Sequence, residues 1–308
     1  MSKIIIHGGF FSESSTNNET KVAKQQALLR IVKNSYDYMK THSAVETVVY
    51  ATSLLEDDEL FNAGIGSQIQ SDGKIRMSAS LMDSTTMKMS GVINIEEVKN
   101  PIQVAEVLMN VDDRILSGEG ATDFARKNGF EKFSTEIPQR RKEYEAKLAS
   151  TGTGTVGCVA LDNEGRIAVA TSTGGKGFEI VGRVSDSATV AGNYCNEFCG
   201  VSLTGVGEDI VSGAVAAKIV TRVTDGFTLN STSQGFLPPR LNSSQKSQLI
   251  SPQAGTIIYC TDCISGGVTM YYNGSRWVEL KDSYLTKVEP GPTGNILKSN
   301  GSEWVSTS

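Results

Sequence analysis

The amino-acid sequence predicts an α+β fold, because helical and strand-like patterns occupy different parts of the chain. Apolar residues recur at helical spacing over residues 19–39. The run Val156–Leu161 is instead continuous and β-rich, and a tight-turn sequence separates it from Ile167–Ala170, which predicts a hairpin. The C-terminal part is rich in Ser, Thr, Asn, Gly and Gln and shows no long helical period, so we expect a small β-rich module there.

The first half of the chain is expected to consist mainly of helices. A short apolar strand at residues 3–6 and a Gly8-Gly9 turn precede the helix at residues 19–39. Ser43, with Glu46 three residues later, forms a capping-box sequence, which predicts that a second helix begins there. Further elements are expected as a helix from Asn100-Pro101, where proline suits the first turn, and as strands at Lys74–Met77 and Gly91–Ile95.

The second half changes character at residues 131–153, which are first charged and then small. That composition is typical of a solvated helix that runs into a flexible Gly/Thr linker. Beyond it we expect strands at Ala188–Gly192 and Val201–Leu203 and one long helix at Glu208–Val223. A shift in composition near Asp225–Asn230 indicates a domain boundary. We therefore predict one mixed domain over residues 1–226 and a β-rich module over residues 227–308.

Charge and the N-terminus argue against two classes of partner. The formal net charge of −5 over 308 residues gives no electrostatic reason to expect a nucleic acid, because phosphate binding calls for a basic surface. Met1-Ser2-Lys3 leads directly into Ile4–Ile6, an apolar run far too short for a signal sequence or a membrane span. We therefore expect a cytoplasmic protein with no membrane partner.

The cysteines favour free thiols. The chain has five, and an odd number without a signal sequence argues against a disulfide framework, because the cytosol keeps cysteines reduced. Two pairs stand out by their spacing, the CxxC of Cys260 and Cys263 and the CxxxC of Cys195 and Cys199. A four-thiolate metal site made from these pairs stays open as an alternative.

One pair of threonines points to nucleophilic chemistry. Thr155 begins a strand, and Thr173 stands at the far end of the predicted hairpin, so the two would lie side by side at one edge of the sheet. A threonine hydroxyl needs a base, and one solution is to free the residue's own α-amine by cutting the preceding peptide bond. Such an amine has an unperturbed pKa of roughly 7.7–8.0, and Gly154 allows the strained turn that self-cleavage requires. The alternative is that Thr155 is an ordinary strand-starting threonine.

Several ordered blocks extend this pattern over the first three-quarters of the chain. They are His7-Gly8-Gly9, Leu54–Glu56, Leu60–Gly66, Met82-Asp83, Gly118–Ala121, Gly154–Asp162, Thr171–Gly175, Gly182–Ser187 and Thr204–Glu208. Each block is modest by itself, but their order and spacing together are specific. Through them the chain resembles the isoaspartyl peptidase/type III (plant-type) asparaginase family of N-terminal-nucleophile hydrolases.

The resemblance implies a fold, a processing event and catalytic roles. The fold would be an αββα four-layer sandwich, made as an inactive precursor that cuts itself between Gly154 and Thr155. Thr155 would be the nucleophile, with its freed amine as base, and Thr173 would hold its hydroxyl in place. Thr204 and the Gly205 N–H would form the oxyanion hole, and such donor pairs often supply the largest catalytic contribution.

The same resemblance assigns the groups that bind substrate. Arg183 would bind the substrate α-carboxylate, which matches its planar fork, and Asp186 would bind the α-ammonium. Asn62 looks like the family's active-site asparagine. Together they imply a small-molecule substrate with a free aspartyl head group, such as L-asparagine or a β-aspartyl dipeptide. Without the family resemblance, Arg183 and Asp186 would be interpreted as a local surface salt bridge.

The resemblance implies no organic cofactor, but it does imply a structural sodium ion. In the family, the loop after the second helix commonly wraps such an ion with backbone carbonyls, and hard cations prefer oxygen ligands. The corresponding carbonyls here belong to Leu55, Glu56, Asp58, Phe61, Ala63 and Ile65. The alternative is an ordinary Gly-rich loop.

The sequence departs from the family at three places. Phe10-Phe11 replaces the small Ala-Gly that usually follows His7-Gly8-Gly9, and Ser78 stands where the family often has Asp. Beyond about Gly226, the strands that close the family's second sheet are not recognisable. We therefore expect a sandwich that lacks its last strands, unless the hairpin Thr256–Val278 replaces them.

The C-terminal segment resembles modules at the ends of phage tail fibres and bacterial surface proteins. The stretches that carry this likeness are Gly235–Leu241, Pro252–Tyr259, Tyr271–Val278 and Gly294–Trp304. Two functions therefore compete. The first is a self-processing hydrolase of asparagine or β-aspartyl peptides, which in the family forms dimers of cleaved protomers. The second is a catalytically impaired asparaginase-like fragment in a structural or adhesion protein, made trimeric by residues 235–308. A homo-oligomer is expected in both cases, and asparaginase, isoaspartyl dipeptidase and glycosylasparaginase preferences stay open.

Overall fold

The computed structural model describes residues 2–9, 18–146, 154–225, 240–249, 252, 256–279, 296–299 and 304–307. Contacts within the chain divide it into two compact units, Met1–Thr224 and Asp225–Ser308. Some sequence features lie wholly or partly outside the described residues, namely Phe10-Phe11, the linker at residues 147–153, and parts of Gly235–Leu241, Pro252–Tyr259 and Gly294–Trp304.

The first unit is built on a six-stranded sheet. Its strands are β1 (Lys3–His7), β2 (Met77–Asp83), β3 (Lys88–Ile95), β4 (Ile115–Ser117), β5 (Val156–Leu161) and β6 (Ile167–Thr173), in the spatial order β1-β5-β6-β2-β3-β4. Neighbouring strands are antiparallel except for β3 and β4, which are parallel. The pairing of β5 with β6 confirms the predicted hairpin.

Helices cover one face of this sheet. They are α1 (Asn18–Met39), α2 (Ala44–Glu56), α3 (Pro101–Leu108) and α4 (Gly118–Lys127). Helix α5 (Pro138–Glu145) has no buried residue and instead contacts loops, through Arg140 to Gly66 O and Arg141 to Gly73 O. The capping box of α2 forms as predicted, with the Glu46 N–H donating to Ser43 Oγ and the Ser43 N–H donating to the Glu46 carboxylate. Residues such as Val48, Leu81 and Ile102 are fully buried between helices and sheet. None of the described helices is both long enough and apolar enough to span a membrane.

A second, smaller sheet lies on the opposite face. Its strands β7 (Asn193–Cys195) and β8 (Gly200–Ser202) are antiparallel and contact β5 and β6, while helices α6 (Gly207–Gly213) and α7 (Val215–Thr224) lie beyond them. Alternate residues of β6 separate the two faces, since Ala168 packs in the helix-side cluster and Val169 packs with Cys195. The layers therefore follow the expected αββα order. Within the described residues the second sheet has two strands, and the loss of its closing strands stays a prediction.

Two strands predicted from the sequence are wrong. The strand expected at Lys74–Met77 begins only at Met77, because Gln70 and the residues after it form a hydrogen-bonded turn. The strand expected at Ala188–Gly192 is replaced by a single 3-10 turn, Asp186–Ala188, and a second turn directly after it. In both places hydrogen bonds within the segment satisfy backbone groups that a strand would pair with a neighbour.

The single helix predicted at Glu208–Val223 is also wrong, because it is broken into α6 and α7. Ala214 separates them with a left-handed backbone of φ 47° and ψ 46°, and its N–H donates to the carbonyls of Ile210 and Val211. Gly213 was the available signal for this break, because glycine is unfavourable inside a helix, whereas Ala214 offered none, since alanine is the best helix former.

The second unit has a four-stranded sheet of its own, ordered β12-β11-β10-β9. Its strands are β9 (Arg240–Leu241), β10 (Ile257–Cys260), β11 (Val268–Tyr272) and β12 (Trp277–Glu279), and the short helix α8 (Ser243–Ser247) follows β9. A separate hairpin pairs β13 (Ile296–Ser299) with β14 (Trp304–Thr307). Because the hairpin of residues 256–278 belongs to this separate sheet, the idea that it replaces the closing strands of the first unit is wrong.

Cys260 and Cys263 are joined by a disulfide bond, so the expectation of free thiols is wrong for this pair. The turn after β10 brings their Cα atoms to 5.6 Å, within the range that a disulfide spans. The remaining three cysteines are free, with Cys158 and Cys195 buried and Cys199 partly exposed. Cysteines held in a disulfide are not available as thiolate ligands, so this structure does not form the four-thiolate metal site.

Candidate active site

The strand register places Thr155 next to Thr173. Val156 lies opposite Ser172, so the residue that precedes β5 meets the last residue of β6. The Thr155 hydroxyl donates to the Thr173 hydroxyl at an Oγ1–Oγ1 distance of 3.2 Å, and the two residues are 6% and 3% exposed. The Gly175 N–H donates to the same Thr173 oxygen, also at 3.2 Å. The prediction that Thr155 and Thr173 lie side by side is therefore confirmed.

Asn62 is the third polar group at this edge of the sheet. Its amide N–H donates to Gly175 O at 2.5 Å, and its amide oxygen accepts from the Gln68 N–H at 2.9 Å. A Cβ on Gly154 would lie 2.4 Å from the Asn62 Cβ, a distance that real Cβ atoms do not adopt. The residue before Thr155 must therefore be glycine on grounds of space.

Arg183 is held by a two-pronged ion pair with Glu208. Its Nε lies 2.8 Å from Glu208 Oε1, and its Nη2 lies 3.1 Å from Oε2. These hydrogen bonds lower the pKa of Glu208 to about 2, so the carboxylate stays ionised. Lys176 is a second cation on the same group, with Nζ 3.3 Å from Oε1. Two cations thus surround one half-exposed carboxylate.

Asp186 lies near Arg183 but is not paired with it. Asp186 is 4% exposed, and its Oδ2 has no hydrogen-bond partner among the described residues. Burial raises the pKa of Asp186 to about 6, although the nearby charge of Arg183 acts in the opposite direction. A Cβ on Gly207 would lie 2.7 Å from Asp186 Oδ1 and 2.8 Å from Arg183 Nη2, so both side chains approach this glycine. The alternative of a surface salt bridge between Arg183 and Asp186 is wrong, because Arg183 pairs with Glu208 and Asp186 is buried.

The threonine pair is close in sequence to the charged cluster formed by Lys176, Arg183, Asp186 and Glu208. Lys176, which contacts Glu208, directly follows Gly175, which is bonded to Thr173. Thr204 and Gly205 lie in the loop between β8 and α6, just before Gly207. The segment expected to supply the oxyanion hole therefore leads directly into the charged cluster. That role of Thr204 and Gly205 stays a prediction.

In the loop after α2, backbone carbonyl oxygens lie so close to a glycine that no side chain would fit at that position. Glu56 O accepts from the Ile65 N–H at 2.7 Å. A Cβ on Gly66, whose φ is 90°, would lie 2.7 Å from Glu59 O and 2.8 Å from Phe61 O. The Glu59 and Phe61 carbonyls therefore lie beside the same glycine, and the sodium site in this loop stays a prediction.

The Glu56 carboxyl ties α2 to the strand that carries Thr173. Its Oε1 accepts from Ser172 Oγ at 2.6 Å and from the Ile102 N–H at 3.1 Å. Complete burial raises the pKa of Glu56 to about 8. Because Ser172 directly precedes Thr173, this buried carboxyl holds the end of β6 against the helix layer.

Sequence analysis missed three of these groups, namely the Glu56 carboxyl, Lys176 and Glu208. Glu208 ends the block Thr204–Glu208, and Lys176 directly follows the block Thr171–Gly175, so position beside a recognised block was the available signal. Lys176 and Glu208 form an ion pair across 32 residues of sequence, and Arg183 and Glu208 form one across 25. Local patterns do not report pairs so far apart.

The comparisons with known proteins agree with the geometry of the first unit. The family described as Asparaginase matches residues 1–251, and the one described as Phage tail like trimerisation region matches residues 226–302. An isoaspartyl peptidase/L-asparaginase of Nostoc sp. is 44% identical over 253 residues, which cover 75% of this chain and 79% of that protein. One of the same name from Synechocystis sp. is 46% identical over 246 residues, 74% of each chain. Another from Xenopus laevis is 37% identical over 299 residues, 92% of this chain and 93% of that protein.

Proposed function

The chain belongs to the asparaginase family, and from that premise we propose that it is a self-processing hydrolase of L-asparagine or β-aspartyl peptides with Thr155 as its nucleophile. The observation that carries this proposal is the 3.2 Å hydrogen bond between the Thr155 and Thr173 hydroxyls, directly after a glycine that has no room for a side chain. An ordinary strand-starting threonine does not require such surroundings.

Self-processing would make the nucleophile from the intact chain. Thr155 Oγ1 attacks the Gly154 carbonyl carbon, a C–O bond forms, and the C–N bond to Thr155 breaks. The nitrogen takes the proton and becomes a free α-amine, and water then hydrolyses the ester to restore the hydroxyl. Thr173 accepts the Thr155 hydroxyl hydrogen bond and so orients the oxygen toward its target.

Substrate hydrolysis would reuse the same hydroxyl. The free amine of Thr155 takes the hydroxyl proton as Oγ1 attacks the side-chain carbonyl of the substrate. Ammonia leaves from asparagine, or an amino acid leaves from a β-aspartyl dipeptide, and an acyl-enzyme remains. Water then releases aspartate. Thr204 and the Gly205 N–H are assigned to the oxyanion that forms at each attack.

The geometry of Arg183 supports recognition of an α-carboxylate. Glu208 occupies the Nε–Nη2 edge of the guanidinium, which leaves the Nη1–Nη2 edge for a second carboxylate. Asp186 Oδ1, which lies beside Arg183 Nη2 at Gly207, would accept from the substrate ammonium. Gly207 lies between the Arg183 and Asp186 side chains. The carboxylate and the ammonium on the substrate α-carbon would therefore contact Arg183 and Asp186 at the same time.

A structural sodium ion and a homo-oligomer belong to the same proposal. The carbonyls of Leu55, Glu56, Asp58, Phe61, Ala63 and Ile65 would hold the ion, and its role would be to fix the loop that carries Asn62. The match to a trimerisation region over residues 226–302 supports self-association through the C-terminal unit.

The decisive experiment is a denaturing gel with intact-mass measurement of the purified chain. We expect two fragments, residues 1–154 and 155–308, and ammonia release from L-asparagine. Thr155→Ala should stay whole and inactive, whereas the matched control Thr153→Ala should be cut at the normal position. A wild-type chain that stays whole after long incubation would contradict the proposal.

A second function stays in competition because the second sheet has two strands in the described residues. In that case the first unit is a catalytically impaired asparaginase-like fragment, and the C-terminal unit makes the protein a structural or adhesion trimer. It predicts an uncut chain and no ammonia release, so the same gel and assay distinguish the two functions.

A further inference from the structure

Strand β3 carries an extra residue where it pairs with β2. The pairing advances from Met77 to Ala79 in β2 but from Ile95 to Val92 in β3, which is the pattern of a β-bulge. Bulges often lie next to functional sites, where they change the direction of a side chain. Asn94 lies in this bulge with a left-handed φ of 53°, a conformation that asparagine adopts more readily than most residues.

The bulge places Asn94 between the large sheet and the segment that carries Arg183. The Asn94 N–H donates to Ser78 Oγ at 3.1 Å, and Ser78 lies opposite Thr173 in the β2–β6 pairing. The Asn94 side-chain Nδ2 donates to the Arg183 carbonyl at 3.0 Å. Asn94 therefore joins the end of the sheet where Thr173 lies to the backbone of the arginine assigned to the substrate carboxylate.

Gln70 fixes the direction in which the Asn94 amide faces. Gln70 is 1% exposed, its Oε1 accepts from Arg76 Nη1 at 2.7 Å, and its Nε2 lies 3.4 Å from Asn94 Oδ1. A guanidinium only donates, so the Gln70 oxygen must face Arg76 and the Gln70 NH₂ must face Asn94. A backbone carbonyl only accepts, so the Asn94 NH₂ must face Arg183. The two ends of this series of contacts therefore require the same orientation of both amides.

Arg76 holds the far end of the series in place. Its side chain is 11% exposed and forms ion pairs with Asp72 at 2.9 Å and with Glu96 at 2.7 Å. Two carboxylates thus fix the guanidinium while it donates to Gln70. Arg76, Gln70 and Asn94 together form an amide relay that ends at a backbone carbonyl.

We propose that Asn94 is a positioning residue, which fixes the Arg183 backbone, and so the place of its guanidinium, at the end of this amide relay. The relay follows from the described contacts, and its consequence for the substrate rests on the proposed function. Glu208 holds the head of the Arg183 side chain, and Asn94 holds the backbone below it. Without Asn94 the guanidinium would bind the α-carboxylate less well, in the bound substrate and in the transition state alike.

The kinetic test removes the Asn94 side chain without straining the backbone. Asn94→Gly is suitable because glycine adopts a left-handed φ readily. Met87→Gly is the matched control, since Met87 has the same φ of 53° in the turn between β2 and β3 and is 47% exposed. We expect Asn94→Gly to raise KM for L-asparagine roughly fivefold with kcat unchanged, and Met87→Gly to change neither. Equal KM values in the two variants, or a loss confined to kcat, would overturn the proposal.

A second substitution tests the relay from its other side. Gln70→Met is neutral and similar in shape, but it offers no donor to the Asn94 oxygen. We expect Gln70→Met to raise KM in the wild-type background and to add nothing in the Asn94→Gly background. Additive effects of the two substitutions would overturn the relay, because residues that act through one another are not independent.

A spectroscopic test needs no turnover. The Arg183 Nε–H donates to Glu208, so its signal in 1H–15N spectra reports the place of the guanidinium, and Arg183→Lys identifies that signal by its loss. We expect the signal to shift and to exchange faster with water in Asn94→Gly, and to stay unchanged in Met87→Gly. An unmoved signal in Asn94→Gly would overturn the proposal, whether or not the protein hydrolyses asparagine. An inactive wild type with the expected change would reject only the proposed function.

Discussion

Asp186 and Glu208 flank the same arginine, yet they titrate in different ranges. Burial raises the pKa of Asp186 to about 6, while hydrogen bonds from Arg183 lower the pKa of Glu208 to about 2. Above pH 6 both are ionised, and between these values only Glu208 is. Asp186 is therefore the group of the two whose charge changes in the range where an enzyme is usually assayed.

We expect the acid side of the pH profile of kcat/KM on L-asparagine to have two limbs. The Thr155 amine must be neutral, with an unperturbed pKa of roughly 7.7–8.0, and Asp186 must be ionised, with a pKa of about 6. As pH falls, log kcat/KM should decline with a slope of one and then, below about 6, with a slope of two. Asp186→Asn should be slower but keep a slope of one. Identical slopes in wild type and variant would contradict the assignment.

Lys176 should strengthen substrate binding through charge. The Arg183–Glu208 pair has no net charge, so Lys176 restores a positive field where the substrate carboxylate arrives. We expect Lys176→Met to raise KM for asparagine roughly threefold with kcat unchanged, and the difference to shrink at high salt.

Lys99 is the matched control for Lys176, since it pairs with Asp57 and is 44% exposed where Lys176 is 47%. Lys99→Met should leave KM at the wild-type value. A KM change in Lys176→Met that persists in high salt would point to a structural role instead.

At the scale of elements, sequence patterns predicted those helices and strands whose stabilising contacts join residues close in sequence. The capping box at Ser43 and the hairpin of β5 and β6 depend on neighbours in sequence, and both were predicted. The break at Ala214 and the turn at residues 186–188 were both missed. The helix after the break is tied to a distant segment, since the Ala216 and Ala217 N–H groups donate to the carbonyls of Ala191 and Val190. The same limit applies to the site, because Thr155 and Thr173 meet through a predictable hairpin while Arg183 meets Glu208 through the fold.

Strand β1 shows what the small second sheet leaves uncovered. β1 is one of the two edge strands of the large sheet, and Ile4 and Ile6 pack toward the helix-side core. Ile5 points to the other face and is 72% exposed. Strand β8 lies close over β5 and β6, because a Cβ on Gly200 would lie 2.8 Å from side-chain atoms of Val159 and Val169. It does not cover Ile5.

We expect Ile5→Thr to change the free energy of unfolding by less than about 0.5 kcal/mol, as for an exposed site. Ile6→Thr should cost roughly 1–3 kcal/mol, because it loses packing and buries a hydroxyl. Urea unfolding should be measured in the uncut Thr155→Ala background, where the chain is a single piece. A comparable cost for Ile5→Thr would mean that this face is covered in solution.

At the scale of the whole molecule, the C-terminal unit should set the oligomeric state. The match to a trimerisation region over residues 226–302 leads us to expect three chains in sedimentation equilibrium of the full-length protein. A chain truncated after Asp225 should lose this association. Equal assembly of both would place the contacts in the first unit.

The strand order of the large sheet has a further consequence for a chain cut after Gly154. Strands β1 and β2 would belong to the front piece, and β5 and β6, which lie between them, to the rear piece. The two pieces would be interleaved and could not come apart while the sheet persists. After unfolding, however, the two separate pieces would have to meet again by diffusion. Cleavage would thus change refolding from a unimolecular reaction into a bimolecular one. The uncut precursor could refold after unfolding, whereas unfolding of the cut protein would be irreversible in practice.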